Sequence, residues 1–221
     1  MRVGKVVDLS IAVDPLTQVY PGDPPIRFTP AATIAADGYN LLRIEMGSQS
    51  GTHCDAPFHF RGDGAPIDVV PLERFVGPGV VVDVRGKADR GRIDAADLAP
   101  GLRRLAPGTI LLLHTGWSQH YGTSRYFAHP YLGADACRLL LDAGVRTFCL
   151  DMPSLDETPG DGHPGADFPA HRLVAAASGV IVENLTSFDL IDFDDPLICV
   201  LPLKLSGADG SPTRAVALDL A

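Results

Sequence analysis

Short runs of apolar, mostly β-branched residues recur along the chain and are separated by turn-forming residues. Runs of this length and composition are typical of strands buried within a sheet. Over residues 40–46 apolar and polar positions roughly alternate, which predicts a strand with one buried face. The predicted strands lie within residues 3–9, 38–46, 79–84, 109–115, 146–150, 179–183, 197–203 and 214–218.

Helical spacing is found in fewer places. Residues 133–143 carry apolar side chains at positions i, i+3, i+4 and i+7, and Gly144 follows as a C-terminal stop. Residues 170–178 are rich in alanine and predict a second helix. A third helix is expected after Asp94, a residue type that caps helix N-termini. Between the first two helices, residues 153–169 form a long segment rich in proline and glycine, and long loops of this kind are often functional.

This pattern predicts a single α/β domain over residues 1–221, with a mixed sheet and long loops. The chain is 46% apolar and 20% charged, so it can bury a sizeable core, which excludes a disordered polymer. Its net charge of −9 repels phosphate backbones and anionic lipids. We therefore expect no nucleic-acid and no membrane partner, and a small-molecule substrate instead.

The location expected from the sequence is cytoplasmic. No apolar run approaches the roughly 20 residues of a membrane-spanning helix, and the first residues lack the apolar region of a signal peptide. The four cysteines form no C-x-x-C pair, and they are interpreted as reduced, mostly buried thiols.

Several common catalytic motifs are missing from the sequence. Residues 47–51 imitate a nucleophile elbow, but Gln49 stands where that motif needs serine. There is no H-E-x-x-H zinc motif, no phosphate-binding P-loop and no dinucleotide-binding glycine fingerprint. Serine hydrolases, zincins and nucleotide-binding proteins are thereby disfavoured.

The segment that carries candidate chemistry spaces polar residues two apart. In an extended chain, His53 and Asp55 project to the same side and present an imidazole nitrogen and a carboxylate to one point. These are ligand types that zinc and manganese accept. Gln49 would lie about 13 Å from His53 along a straight strand, but Gly51 permits a bend. A hydrogen-bonded structural network is the alternative interpretation, and His59 fits a surface position equally well.

A second pair of candidate ligands lies far along the chain. Glu183 falls inside an apolar run, where a carboxylate is costly to bury unless it is paired or bound to a cation. His171 lies at the start of the alanine-rich helix. A salt bridge at a strand end explains Glu183 as well, and His171 can be a helix-start residue without a ligand role. Among the other histidines, His163 in the long loop is the best candidate for substrate contact.

Residues 50–60, with the sequence SGTHCDAPFHF, resemble the H-x-G-T-H-x-D-x-P-x-H signature of the cyclase superfamily, which includes bacterial kynurenine formamidases and isatin hydrolases. The resemblance continues along nearly the whole chain. It includes residues 8–10, 20–23, 113–117, 151–156, 183–185, 201–204 and 207–215. It implies a swivelling β/β/α domain that assembles as a homodimer or homotetramer.

The resemblance also implies roles for individual residues. Four positions match metal ligands of the family: His53, Asp55, His171 and Glu183. His59 matches the catalytic acid/base. Gln49 stands where the signature has its first histidine ligand, and an amide oxygen is a weaker zinc ligand than an imidazole. The resemblance therefore implies zinc or manganese, with one or two ions per chain.

The function implied is that of a metal-dependent hydrolase of a small amide, lactam or ester-like substrate, similar to kynurenine formamidase. A metal-activated water would attack the substrate, with His59 as general acid/base. Tyr20 falls where the formamidases place a substrate-contacting tryptophan, and Phe58 is a second candidate wall of the pocket. The alternatives are a non-hydrolytic polyketide-type cyclase or dehydratase with the same metal site, and a metal-free binding protein on the same scaffold.

Overall fold

The computed structural model describes residues 2–160, 162–165 and 167–220. Its strands, in chain order, are β1 (Val3–Asp8), β2 (Arg27–Ala32), β3 (Leu41–Glu45), β4 (His53–Asp55), β5 (Val76–Asp83), β6 (Arg92–Ile93), β7 (Ile110–His114), β8 (Tyr131–Leu132), β9 (Thr147–Leu150), β10 (Val180–Glu183), β11 (Leu197–Cys199), β12 (Gly210–Pro212) and β13 (Val216–Leu220). Its helices are α1 (Ile34–Asp37), α2 (Ala95–Leu102), α3 (Ala134–Asp142) and α4 (Pro169–Ala176).

Nine strands form one large mixed sheet in the order β1-β13-β11-β5-β7-β9-β10-β4-β12. The four neighbours β5, β7, β9 and β10 are parallel, and the strands on either side of them are antiparallel. Every residue of β7, β9 and β10 is buried. The continuous apolar runs of these strands reflect burial on both faces of the sheet.

Each face of this curled sheet carries its own hydrophobic core. On one face α2, α3 and α4 pack through buried residues such as Leu98, Leu140 and Val174. On the other face Leu9 and Ile198 belong to a second buried cluster. The α/β class with a mixed sheet, predicted from the sequence, is confirmed.

The three predicted helices are present as α2, α3 and α4. Asp94 caps α2 together with Asp97, whose carboxylate accepts a hydrogen bond from the Asp94 backbone N–H at 2.7 Å. Helix α3 ends before Gly144, which has a φ of +94° that favours glycine. Residues next to the helix ends were therefore sufficient to predict where α2 begins and where α3 ends.

A strand is present within residues 38–46 as predicted, but the prediction that one of its faces is buried is wrong. β3 pairs with β2 in a separate two-stranded hairpin, and all five of its residues are exposed. The hairpin does not join the large sheet, so neither face of β3 reaches a core. The sequence of β3 alternates, but alternation alone does not say which surface a strand lies on.

Two further findings concern the cysteines and the length of the helices. The four cysteines are free thiols, and Cys54, Cys137 and Cys149 are buried. Over the described residues, no helix has the length and hydropathy needed to cross a membrane.

Candidate metal centre

Strands β4 and β10 place three candidate ligands beside one another. β4 lies between β10 and β12, with His53 opposite Glu183 and Asp55 opposite Gly210. Paired residues, and residues two apart on one strand, share a face of the sheet. His53, Asp55 and Glu183 therefore project together, and one potential ligand atom of each lies within 4.8 Å of the other two.

Helix α4 adds the fourth candidate. His171 Nε2 lies 3.2 Å from Glu183 Oε1 and 3.6 Å from Asp55 Oδ2. On the other side, His53 Nε2 lies 3.4 Å from Asp55 Oδ1 and 3.6 Å from Glu183 Oε2. Each carboxylate thus turns one oxygen toward each imidazole, and all four residues are buried. The structure brings together two pairs of residues that are far apart in the sequence.

The outer nitrogen of each imidazole is held by an acceptor. His53 Nδ1 lies 2.9 Å from the Gly51 carbonyl, and His171 Nδ1 lies 2.7 Å from Asp156 Oδ2. Carbonyl and carboxylate oxygens only accept hydrogen bonds, so both Nδ1 atoms carry a proton. In the neutral rings, each Nε2 then offers its lone pair to the cluster. Metal-binding histidines are held in the same way.

Asp156 was not identified in the sequence, although it serves both His171 and the start of α4. Its carboxylate accepts hydrogen bonds from the backbone N–H groups of Ala170 and His171, each at 2.9 Å. Phe168, at the cap position, makes no side-chain capping bond, so Asp156 takes that role from a distant loop. No regular spacing in the sequence links Asp156 to the first residues of α4, so the pattern of the sequence does not reveal its role.

Replacing Asp156 with asparagine should weaken metal binding about 10–100-fold, as is usual for the partner of a metal-binding histidine. Asparagine keeps one acceptor oxygen but turns an amide NH₂ toward donors that need an acceptor. A competition titration against a chelating dye measures the affinity. Asp151→Asn is the matched control, because Asp151 is a buried carboxylate that accepts from Thr115 and Gly116 instead. Equal losses in both variants would contradict the assignment.

Without a metal ion, the buried carboxylates of this cluster draw protons into it. Burial and the neighbouring Asp55 charge raise the pKa of Glu183. Burial opposes protonation of His53, but the Asp55 and Glu183 carboxylates outweigh it and raise the His53 pKa to about 9. Asp55 Oδ1 is buried and makes no hydrogen bond within the described chain. Two imidazoles and two carboxylates, one of them with an oxygen that accepts no hydrogen bond, fit a zinc or manganese ion.

Metal binding should therefore release protons at pH 7. With a pKa of about 9, His53 is protonated in the metal-free protein at that pH, and its Nε2 must lose the proton to become a ligand. The apparent affinity should rise with pH and level off above pH 9. Calorimetric titrations in buffers of different ionisation enthalpy count the released protons. A buffer-independent heat at pH 7 would contradict this expectation.

His59 lies beside this cluster, at the end of the helical turn Pro57–His59. Its Nδ1 is 2.9 Å from Asp209 Oδ2, so Nδ1 carries the proton in the neutral ring and Nε2 has the lone pair. Burial opposes protonation, but the hydrogen bond to Asp209 and the charges of Asp55 and Asp209 together outweigh it and raise the pKa of His59. Asp209 is a second functional candidate that was not identified in the sequence. It comes from the turn before β12.

Gln49 reaches the site through the bend that the sequence predicts at Gly51. Gly51 has a φ of +67°, and a Cβ there would lie 2.5 Å from Val13 Cγ2. The Gln49 Nε2 atom donates to Asp209 Oδ2 at 2.9 Å. Its Oε1 atom is buried and has no hydrogen-bond partner among the described residues.

A cavity of about 240 Å³ opens beside the cluster. Its aromatic lining consists of Tyr20, Phe60, Tyr126, Phe127 and Phe168. His53, His59, His171 and Glu183 also line it, together with polar residues that include Asp23 and Asn184. No lysine or arginine belongs to the part of the lining that the structure describes. The cavity therefore suits a small neutral molecule with an aromatic ring.

Of the three residues expected to contact substrate, only Tyr20 lines this cavity. Phe58 is 39% exposed on the outer side of the Pro57–His59 turn, and Phe60 lies in the cavity wall instead, its ring centroid 4.6 Å from that of His171. His163 is half-exposed, and its Nδ1 lies 3.2 Å from Glu157 Oε1. Within the same loop, residues 161 and 166 lie outside the described residues.

Comparison with known proteins places this geometry in a family. Isatin hydrolase A from Ralstonia solanacearum has the same fold, with a TM-score of 0.86 and 23% identity over 98% of this chain and 92% of that one. Isatin hydrolase A from Labrenzia aggregata bound to benzyl benzoate has a TM-score of 0.84 and 24% identity, over 97% and 93%. A "predicted metal-dependent hydrolase" from Bacillus stearothermophilus has a TM-score of 0.76 and 28% identity, over 98% of both chains.

The family model Cyclase, described as "Putative cyclase", matches residues 7–157. This segment is well over half of the chain and contains the signature with His53, Asp55 and His59. His171 and Glu183 lie beyond it, and the fold brings them to the same cluster. The chain belongs to the Cyclase family.

Proposed function

We propose that this protein is a metal-dependent hydrolase of a small neutral amide, lactam or ester-like substrate. The observation that carries the proposal is the buried group of two imidazoles and two carboxylates beside an aromatic cavity. A bound divalent ion would lower the pKa of a coordinated water toward 7 and polarise the scissile carbonyl. His53, Asp55, His171 and Glu183 would hold that ion. Zinc and manganese both fit this donor set, with one or two ions per chain.

His59 supplies the proton transfers in this proposal. Because Asp209 holds the proton on Nδ1, the Nε2 lone pair is free to accept a proton from the attacking water. The same nitrogen then delivers the proton to the leaving nitrogen or oxygen of the substrate. The raised pKa of His59 makes its imidazole a stronger base toward the attacking water.

The cavity supports aromatic substrates. Tyr20 and Phe60 offer flat apolar surface to a ring, and the lining offers no permanent cation to an anionic group. The fold shared with isatin hydrolases and the resemblance to kynurenine formamidases both support testing aryl amides first. A cytoplasmic location and assembly as a homodimer or homotetramer remain predictions.

The test combines metal analysis with a substrate panel. Protein expressed with added zinc or manganese is assayed on isatin, an aryl formamide and an aryl lactone. We expect hydrolysis of at least one compound, loss of activity on chelation and recovery with zinc or manganese. Turnover of a polyketide intermediate without hydrolysis of the panel would favour the cyclase or dehydratase. Metal far below one ion per chain, with no rescue, would favour a binding protein.

A further inference from the structure

Asp209 contacts two groups of the site through a single oxygen atom. We propose that Asp209 is a positioning residue that sets the orientation of the Gln49 amide and the tautomer of His59 together. This inference rests on the proposed function, since it assigns Gln49 Oε1 to the ion and His59 Nε2 to proton transfer. The family signature has histidine where this chain has Gln49, and the inference assigns the glutamine a role as an oxygen ligand.

Donor and acceptor chemistry fixes both orientations. Asp209 Oδ2 lies 2.9 Å from Gln49 Nε2 and 2.9 Å from His59 Nδ1, while Oδ1 accepts from Ser48 Oγ at 2.8 Å. A carboxylate ion only accepts hydrogen bonds, and the three groups that face the Asp209 oxygens, Ser48 Oγ, Gln49 Nε2 and His59 Nδ1, can all donate. The NH₂ group of Gln49 must therefore face Asp209, and its Oε1 must face away.

The sheet shows where the Gln49 amide lies. A Cβ at Gly210 would lie 2.5 Å from Gln49 Nε2 and 2.8 Å from Gln49 Oε1, so the amide occupies the space of a side chain at that position. Gly210 is paired with Asp55 on β4, and paired residues share a face. The amide therefore lies next to Asp55, on the face that carries the cluster.

Two buried acceptors without donors belong to these neighbouring positions. Gln49 Oε1 and Asp55 Oδ1 each make no hydrogen bond within the described residues. Neighbouring buried oxygens without donors are stabilised by a cation. Gln49 thus offers an amide oxygen where the family signature has an imidazole, and a harder oxygen donor shifts the preference of the site from zinc toward manganese.

The first test is Asp209→Leu in the manganese-loaded full chain. Leucine removes both acceptor oxygens, so neither Gln49 Nε2 nor His59 Nδ1 has an acceptor at this position. Asparagine would be uninformative, because its oxygen could replace Oδ2 while its NH₂ group donates to Ser48 Oγ. We expect manganese affinity to fall about 10–100-fold, measured by the EPR signal of free Mn²⁺. In the metal-free protein, ¹⁵N NMR of the imidazoles should show that His59 no longer holds its proton on Nδ1 alone. Unchanged affinity together with an unchanged tautomer would overturn the proposal.

Two variants separate positioning from general damage to the fold. Gln49→His should raise the ratio of zinc to manganese affinity at least about tenfold, because it exchanges an oxygen donor for an imidazole. Gln49→Leu should remove the amide oxygen and weaken manganese binding while leaving the His59 tautomer intact, because Asp209 still accepts from His59 Nδ1. If either variant binds both metals as the native chain does, Gln49 is not a ligand. Ser48→Ala is the matched control, because it removes only the contact to Oδ1.

These readouts separate the inference from the proposed function. Metal affinity and the His59 tautomer are measured without any substrate. If they change as expected while no panel compound is hydrolysed, the hydrolase assignment fails and the positioning role stands. If hydrolysis is observed but Asp209→Leu leaves both readouts unchanged, the positioning role fails alone.

Discussion

Replacing Asp55 with asparagine should remove the bound ion and lower kcat/KM by about 10³–10⁴-fold, the equivalent of several kcal/mol of transition-state stabilisation. Asp55 turns its two oxygens toward two different imidazoles, at 3.4 Å from His53 and 3.6 Å from His171. Asparagine would leave one oxygen and direct an NH₂ group at one imidazole. The loss should therefore affect metal content and rate together.

Metal per chain and kcat/KM on the best panel substrate are the two measurements. The apo form of Asp55→Asn should unfold at a lower temperature than the apo native chain, because the change removes the carboxylate that faces two buried imidazoles. Asp23→Asn is the matched control, since Asp23 lines the cavity outside the cluster and should leave metal content unchanged. Full metal occupancy in Asp55→Asn would remove Asp55 from the ligand set.

The second large effect is expected at His59. His59→Ala should lower kcat by about 10²–10⁴-fold, the usual contribution of general acid–base catalysis. Its ring is bound to Asp209 rather than to the cluster, so metal content should stay unchanged and KM should change little. Added imidazole should restore part of the rate, because it can occupy the space that the side chain leaves.

Phe58→Ala is the matched control for His59→Ala. Phe58 precedes His59 in the same helical turn but lies on the exposed side, so its removal should leave kcat nearly unchanged. A comparable loss of rate in both variants would point to damage of the turn instead of loss of a base. A normal rate in His59→Ala would require a different proton carrier.

The parts of this molecule that sequence reasoning predicts are those with a local physical signal. The central strands β7, β9 and β10 are buried on both faces, so their composition alone identifies them. His53 and Asp55 were found because strand geometry places alternate residues on one face. Glu183 was found because a carboxylate within an apolar run needs a partner.

The missed residues act over long range. Asp156 caps a helix that begins well beyond it, and Asp209 contacts His59 across 150 positions of sequence. Both lie in loops, where an aspartate is common and carries no periodic signal. Phe58 and Phe60 show a related limit: only the direction of the helical turn decides which ring faces the cavity.

The order of strands at the site has a consequence for how the protein folds. β4 is placed between β10 and β12, so it finds its neighbours only after most of the chain has been made, and Gln49 and Asp209 are 160 positions apart. Contacts between residues so far apart in the sequence form late and slowly, because closing a large loop costs conformational entropy before the contact can stabilise the fold. On the ribosome, His53 and Asp55 therefore emerge many seconds before Glu183, at about 5–20 residues per second. The complete ligand set can therefore bind its ion only late in folding. The supply of metal should then affect how long the folded protein persists more than how fast it folds.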